Sequence, residues 1–488
     1  MLLTALVFIP LLGAILLAFF PRERVSAIRA FALAVSLIPL LLVISLWQQL
    51  DFSQPGMQLI TQRDWIPSLG ISYKLGVDGI SFPLIAVSAL VLPLSVLASF
   101  TITHRVKEFF LWMLVLQTAI YGVFTALDYF LFFIFFEASL VPMYFIIGIW
   151  GGPRKEYASL KFFIYTLLGS AIMLVGILAL YLGSGLTPRT FDVLVLAEQA
   201  NLSPTLQWWI FLAFFAGFAV KVPIFPFHTW LPDAHVEAPT GGSMILAGIL
   251  LKTGTYGFFR FMLPTFPDAA QAFSPVLAVL GVIGIIYGAL AAMAQTDMKK
   301  LVAYSSISHM GYVVLGVAAM TPMSLNGAMF VNVSHGIISP LLFFVVASVI
   351  YDRTHTRMMN EMSGLFTKIP VAASITAFAA FANLGLPGMA GFPGEFFTFV
   401  GSFPVYTTLV ILGAALGLVT TAGYHLWMMQ RVLMGQPTGD RLPDISTREL
   451  VVAAPLMVFI VLLGILPGIA LRLFNEPIAV LAARLGGM

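Results

Sequence analysis

The sequence predicts an all-α, polytopic membrane protein, and its composition is the main reason. Of the 488 residues, 60% are hydrophobic and only 9% are charged, whereas roughly 25% are charged in an ordinary soluble domain. The mean hydropathy is +1.00. A water-soluble fold cannot bury this much apolar surface, so we expect the chain to lie in the lipid bilayer.

The apolar residues fall into runs of about 20, the length that crosses a bilayer as a helix. The first run has no Lys or Arg before Arg22 and no small-residue cleavage site, so it is interpreted as a spanning helix and not as a signal peptide. The fourteen predicted spans are 2–20, 27–47, 79–102, 109–127, 129–149, 160–182, 206–225, 240–263, 274–294, 301–320, 325–350, 370–402, 406–433 and 450–473. The longest polar connection is about 48–78, and no strand is evident. Residues 1–488 are therefore expected to form a single membrane domain.

The charged residues of the loops predict the orientation. Loops that follow odd-numbered helices contain 16 Lys and Arg residues, and loops that follow even-numbered helices contain 4. The positive-inside rule places the odd loops, near Arg154 and Lys299, in the cytoplasm. Residues near Gln58 and Arg189, and both termini, are then expected on the opposite side.

The order of the spans suggests an internal repeat. After the N-terminal helices 1–3 (residues 1–105), helices 4–8 cover 109–263 and helices 9–13 cover 274–434, and helix 14 lies in 450–488. Five is an odd number, so the second set must run inverted relative to the first. Helices 7 and 12, which correspond in the two sets, are interrupted by prolines at 221–226 and 386–395. Paired broken helices in inverted halves indicate a transport site, because irregular backbone at membrane depth must face protein or water.

Six ionisable side chains lie inside predicted spans, where an isolated charge costs about 2.5–3.5 kcal/mol on insertion scales. They are Glu137, Lys221, Lys252, His309, His335 and Glu395. Any one of them could be structural, as a member of an ion pair or as a histidine bonded to backbone carbonyls. For Glu395 the structural alternative is a cap on the second half of helix 12. Six such groups on six helices favour a proton relay.

Other histidines have more than one interpretation. His228 and His235, with Asp233 and Glu237, are residue types that bind metals, but their spacing matches no zinc motif and prolines interrupt the segment. His425 is either a packing residue or a relay member. The chain has no cysteine, which excludes disulfides, cysteine-bound iron–sulfur clusters and thiol catalysis. A net charge of +3 is too small for a nucleic-acid-binding patch.

Two motifs resemble a known family. The run KVPIFPFHTWLPDAHVEAPT (221–240) and the run AQTDMKKLVAYSSISHMG (294–311) are similar to signatures of the antiporter-like subunits of respiratory complex I. The same family includes the Mrp cation/proton antiporters and membrane-bound hydrogenase subunits. Three features resemble the M type, also called chain 4: Glu395 where L and N types have Lys, Lys252 where L types usually have His, and an end soon after helix 14.

The resemblance implies a proton-translocating subunit of NADH-quinone oxidoreductase, which couples quinone reduction elsewhere in the complex to proton transfer. It implies no cofactor in this chain, and NADH, FMN, iron–sulfur clusters and quinone in partner subunits. The implied partners are L-type and N-type subunits and small membrane subunits, in a bacterial inner membrane or, in a photosynthetic source, a thylakoid membrane. NADH and ferredoxin both remain open as electron donors. The alternative is an Mrp-type cation/proton antiporter subunit.

The resemblance also implies roles for the buried residues. Glu137 and Lys221 would form a pair between helices 5 and 7, Lys252 would be the central relay, and Glu395 would release protons outward. His309 and His335 would continue the hydrated axis, with His228 as a further possible member. A Glu–Lys pair at about 4 Å gains about 4 kcal/mol at an effective dielectric constant of about 20. Opening and closing such a pair would switch Lys221 between holding and releasing a proton.

Overall fold

The computed structural model describes residues 1–437 and 442–486, which are largely helical. The helices keep the numbers of the predicted spans that they occupy. Their bounds are Leu2–Ala18, Val25–Gln49, Ser81–Ala98, Val106–Thr125, Tyr129–Trp150, Lys155–Gly183, Pro204–Lys221 with Trp230–Glu237 (helix 7), 240–265, Pro267–Met293, Met298–Ala319, Pro322–Thr354, Pro370–Asn383 with Gly391–Ser402 (helix 12), Thr407–Val432 and Thr447–Ile465. Ten helices of the described ranges are long and apolar enough to cross a membrane alone. The count of fourteen crossings stays a prediction.

Helices 10 and 11 form the centre of the protein. Within each, 94% of the most apolar stretch is buried inside the chain, whereas the corresponding share is 33% for helices 2, 13 and 14. The latter three therefore present most of their apolar surface outward, as expected for helices that face lipid. The assignment of 109–263 and 274–434 to inverted repeats stays a prediction, and the last two residues of the segment 450–488 lie outside the described residues.

The expectation of a chain without strands was wrong. Strand β1 (Gln58–Ile66) pairs antiparallel with strand β2 (Ile71–Val77), and Gly70 between them has φ +66°. Strand β2 is held by residues distant in sequence, since Lys74 Nζ donates to Asp192 Oδ2 at 2.5 Å. A contact between residues so distant in sequence cannot be deduced from local sequence patterns. Locally, the hairpin segment showed only that it was a polar connection between two spans.

The hairpin, the start of helix 5 and the loop before helix 7 meet on one side of the protein, here termed the hairpin face. Asp128 links two of these parts, because its carboxylate accepts from the Ser72 amide at 2.9 Å and caps helix 5 through the Phe130 amide at 2.9 Å. The Phe191 amide donates to the Gly70 carbonyl at 3.2 Å and joins the third part.

Helix 5 runs from Asp128 on the hairpin face to Trp150, and the opposite side of the protein begins there. This side, the Arg154 face, contains several ion pairs that attach the second half of helix 7 to its neighbours. Lys161 donates to Asp233 at 2.8 Å, and Arg154 lies 3.6 Å from the same carboxylate. Lys299 donates to the Ala238 carbonyl at 2.6 Å.

The predicted span 450–473 was wrong at its C-terminal end. Helix 14 ends at Ile465, and a separate helix, Gly468–Arg484, follows it. Leu466 has φ −122° and ψ +62°, outside the helical region, because the residue before a proline (here Pro467) is disfavoured there. The additional helix packs on helices 3 and 11 and lies at the hairpin face.

The two faces give a direct test of orientation. We expect Cys at position 154 to be labelled by an impermeant maleimide from the cytoplasm, and Cys at position 189 from the opposite side. Both Arg154 and Arg189 are exposed, and the native chain, which has no cysteine, is the unlabelled control. The measurement compares labelling in inside-out and right-side-out vesicles. Labelling of both positions from the same side would contradict the scheme.

Candidate functional site

Four of the six ionisable residues predicted inside the spans form a series in which each contacts the next, here termed the buried row. Lys252 Nζ lies 2.6 Å from His335 Nδ1, the rings of His335 and His309 are 5.4 Å apart between centroids, and His309 Nε2 is 3.4 Å from Glu395 Oε1. None of the four is more than 5% exposed. The row therefore crosses helices 8, 11, 10 and 12 in continuous contact.

Lys252 is positioned by a local change in the helix. Residues Leu246–Leu250 form a π-helical turn, and Lys252 Nζ donates to the Ala247 carbonyl at 2.6 Å. A π turn replaces the regular i→i−4 hydrogen bonds of an α-helix, and such turns occur frequently at functional sites. Two residues later, Gly254 brings helix 8 against the end of the first half of helix 7: a Cβ there would lie 3.0 Å from the Lys221 Cβ.

His309 is held by the interruption of helix 12. Its Nδ1 lies 2.7 Å from the Ser305 carbonyl, and its Nε2 lies 2.9 Å from the carbonyl of Asn383, the last residue of the first half-helix. In a continuous helix the Asn383 carbonyl would accept from residue 387, but Pro387 has no amide hydrogen. The sequence prediction that prolines interrupt this helix is therefore confirmed, and the interruption supplies a partner for His309.

The same arrangement occurs at helix 7. Pro223 cannot donate, so the Ile224 amide bonds to the Ala219 carbonyl at 2.9 Å and the Val220 carbonyl accepts from the Trp230 indole at 2.9 Å. Trp230 begins the second half-helix. Each break therefore uses a side chain to satisfy a carbonyl that proline leaves unpaired.

Glu395 lies one turn inside the second half of helix 12, which begins at Gly391. The first turn of this half-helix contains no acidic residue, so the structure does not support the capping alternative. Glu395 Oε1 is buried and has no hydrogen-bond partner among the described residues, and its closest ionisable neighbour is His309. Such a carboxylate can exchange a proton with that histidine.

Glu137 and Lys221 do not form a closed ion pair among the described residues, and their pairing stays a prediction. Among the ion pairs of the described residues, none joins these two side chains; Lys221 Nζ donates to Ser139 Oγ at 3.5 Å and lies 5.0 Å from the Phe136 ring centroid. Ser139, which contacts Lys221, lies where Pro142 has no amide for the Ala138 carbonyl of helix 5. Glu137 and Lys221 still interact electrostatically.

The remaining histidines lie beside the buried row. His228 Nε2 is 3.1 Å from Tyr287 Oη in the break of helix 7, and His425 Nε2 accepts from Asn383 Nδ2 at 3.1 Å. Sequence reasoning did not include His235 in the relay. It is fully buried, stacks on Phe343 at 4.3 Å, and neither of its ring nitrogens has a partner among the described residues. The position of His235 between the break of helix 7 and the start of helix 8 was the feature of the sequence that could have identified it as a candidate.

Comparison with known families agrees with this geometry. The family model described as NADH:quinone oxidoreductase/Mrp antiporter, TM, matches residues 126–422, and the model described as NADH-ubiquinone oxidoreductase chain 4, amino terminus, matches residues 5–123. Together they cover both broken helices and all of the buried row.

Individual relatives are similar over nearly the whole chain. The NADH-quinone oxidoreductase subunit M of Rhodobacter capsulatus is 44% identical over 98% of this chain and 96% of its own length. The NAD(P)H-quinone oxidoreductase chain 4 1 of Synechococcus elongatus is 42% identical over 99% and 91%. A chain of respiratory complex I from Thermus thermophilus with bound NADH has a TM-score of 0.90 at 31% identity, with 100% of both chains covered. A chain of the Mrp complex from Dietzia has a TM-score of 0.85 at 21% identity, over 98% and 97%, a likeness of fold alone.

Gly394 offers a test of how the row is positioned. A Cβ at this position would lie 2.9 Å from the Val331 backbone nitrogen, so Gly394→Ala must separate helices 11 and 12 beside Glu395. We expect a loss of about 1–3 kcal/mol in the free energy of unfolding, as for other overpacked cores.

The measurement is the midpoint of thermal unfolding of the purified protein. Gly468→Ala is the matched control, because a Cβ at Gly468 has no neighbour within 4 Å among the described residues. Equal midpoints for both variants would contradict the expectation.

Proposed function

The chain belongs to the NADH:quinone oxidoreductase/Mrp antiporter family, and we propose that it is a proton-translocating, antiporter-like membrane subunit of an NADH-quinone oxidoreductase. The observation that supports this most strongly is the buried row, four titratable side chains in continuous contact inside a membrane protein. Ionisable residues in such positions mark proton paths. The similarity to quinone oxidoreductase subunits over nearly the full length favours this family branch.

The proton path follows the contacts of the row. Protonated Lys252 can donate to His335 Nδ1 across 2.6 Å, and His335 Nε2, which is buried and without a partner among the described residues, can pass a proton on. The 5.4 Å between the histidine rings is short enough for one water molecule or a ring rotation to link their nitrogens. Both ring nitrogens of His309 lie against carbonyl acceptors, so the ring holds two protons; it first donates one to Glu395 across 3.4 Å and then takes up the proton from His335.

Glu137 and Lys221 stand at the input side of this path. Lys221 is almost fully buried, and its ammonium has only a long hydrogen bond to Ser139. A movement that brings Glu137 to Lys221 would stabilise the protonated lysine, and its reversal would release the proton towards Lys252. His228 lies in the first break and is proposed as an accessory member at most, because its ring is bonded to Tyr287.

The energy for these movements comes from other chains of the complex. The proposed partners are L-type and N-type antiporter-like subunits and small membrane subunits, with NADH, FMN, iron–sulfur clusters and quinone bound in partner subunits. The proposed location is a bacterial inner membrane with both termini on the periplasmic side, or a thylakoid membrane in a photosynthetic source. The charge distribution of the loops supports this orientation.

The alternative is a subunit of an Mrp-type antiporter. The two functions differ in the subunits with which the chain assembles. Affinity purification of the intact complex, followed by identification of its subunits, is expected to recover hydrophilic flavin and iron–sulfur subunits. Recovery of membrane subunits alone would replace the proposal by the antiporter alternative.

The terminal carboxyl group gives the sharpest test of the relay. We expect Glu395→Gln to lower NADH-driven proton pumping about tenfold or more, because an amide cannot titrate and general acid–base groups contribute about 10²–10⁴-fold. Glu395→Asp should retain part of the activity. The measurement is pH-gradient formation per NADH oxidised by the assembled complex.

Glu476→Gln is the control for this substitution, because Glu476 is an exposed carboxylate far along the chain. Full pumping by an assembled Glu395→Gln complex would remove Glu395 from the relay.

The input residues are tested separately. Glu137→Ala and Lys221→Ala are each expected to abolish most pumping while the complex still assembles. Ser139→Ala should have a smaller effect, because it removes a single hydrogen bond of 3.5 Å. The proton-to-electron ratio is measured in vesicles. A near-normal ratio in Glu137→Ala or Lys221→Ala would contradict the proposal that these two residues form the input of the proton path.

A further inference from the structure

Helix 8 contains a second set of polar side chains that leads away from Lys252 towards the hairpin face. Lys252, Tyr256 and Arg260 are spaced by four residues and so share one side of the helix. Arg260 Nε donates to Tyr256 Oη at 3.3 Å. All three are buried, with exposed fractions of 1%, 1% and 9%. This set is termed the helix 8 column.

The column ends in a cavity of about 200 Å³ at the hairpin face. Buried Arg260 and Asp78 line the inner part of the cavity, and exposed Glu198 and Arg484 line its rim. Under the orientation proposed above, this cavity faces the side to which protons are delivered. Polar side chains thus continue from Lys252 in two directions towards that side: through the contacts of the buried row to Glu395, and, by helical spacing, through Tyr256 to Arg260 at the cavity.

Arg260 is fixed where the column meets the cavity. Its guanidinium forms an ion pair with Asp78, whose carboxylate also accepts from the backbone amides of Ile80 at 3.0 Å and Ser81 at 2.9 Å. Asp78 is 2% exposed and is thereby attached to the start of helix 3. The pair closes the inner wall of the cavity with a side chain that has little freedom to move.

The chemistry of the column differs from that of the row. The Tyr256 hydroxyl donates a hydrogen bond to the Phe124 carbonyl at 3.2 Å, so its hydrogen is already bonded to a backbone acceptor. An arginine side chain keeps its proton under all physiological conditions and has no acceptor atom. A proton from the cavity can reach the Asp78 carboxylate, but the guanidinium behind it cannot accept that proton.

We propose that the Arg260–Asp78 pair is a permanently closed electrostatic gate that prevents protons from leaking between the cavity and Lys252 along helix 8. A fixed arginine charge in a membrane pore is a known physical barrier to protons. The inference rests on the proposed function, because a gate of this kind matters only if Lys252 carries protons. Without the gate, Lys252 would exchange protons with the delivery side at all times, including when it receives protons from Lys221 on the input side, and the gradient would then collapse through the same residue that builds it.

The test is passive proton leak in proteoliposomes that contain the intact purified complex. A pH gradient is imposed without NADH or quinone, and its decay is followed with an internal pH dye. We expect Arg260→Met to accelerate the decay about tenfold. Arg260→Lys should accelerate it less, because a lysine beside Asp78 can be charged but, unlike arginine, can release its proton. Arg484→Gln, on the exposed rim of the same cavity, is the matched control and should not leak.

A second substitution separates a gate from a structural defect. Adding Lys252→Met to Arg260→Met should restore the slow decay, because it removes the group through which the leak passes, whereas a packing defect would persist. If Arg260→Met prevents assembly, the double variant Arg260→Gln/Asp78→Asn removes both charges together and leaves no unpaired one.

The outcomes decide between the alternatives. A wild-type rate of decay in the assembled Arg260→Met or Arg260→Gln/Asp78→Asn complex would overturn the proposal, as would a leak that Lys252→Met does not suppress. The assay uses no electron donor, so its result is independent of whether Glu395→Gln abolishes NADH-driven pumping. The gate and the proton-translocating function can therefore be contradicted independently of each other.

Discussion

Backbone carbonyls that lose their helical partners inside the membrane must find other donors, and the site is built around that requirement. An unpaired carbonyl in hydrocarbon costs several kcal/mol. In this protein the donors or contacting groups include side chains of the buried row: His309 at the carbonyl of Asn383 and Lys252 at that of Ala247. The irregular backbone therefore fixes the positions of ionisable groups that would otherwise be unfavourable at this depth.

The charged groups of the protein fall into two kinds that differ in how completely they are paired. Lys74 of strand β2 with Asp192, and Arg353 of helix 11 with Glu449 of helix 14 through two bonds of 3.0 and 2.7 Å, are close pairs of opposite charge that join parts of the chain distant in sequence. Members of the buried row lack this completeness, since Glu395 Oε1 has no hydrogen bond in the described residues. A fully paired charge has no reason to exchange its proton, whereas an incompletely satisfied one can do so at low cost.

Local sequence signals predicted the parts of the fold that depend on local physics. Apolar runs located the helices, prolines located both interruptions, and the cost of buried charge identified Lys252, His335, His309 and Glu395 before their contacts were known. The hairpin was not predictable in this way, because a bond between residues 74 and 192 holds its inner strand. Whether Glu137 and Lys221 are in contact was not predictable either, because sequence spacing gives no distance between side chains on different helices.

Polar groups continue from Lys252 in two directions that end in groups of opposite behaviour, and in the proposed relay this asymmetry would set the direction of proton transfer. Glu395 at one end is a carboxyl group, which can take up and release a proton. Arg260 at the other end has one protonation state only. Both ends face the delivery side in the proposed orientation, so a second open path would let protons that have left through Glu395 return to Lys252. With a permanently charged group in one path, protons would leave the lysine only through the titratable end.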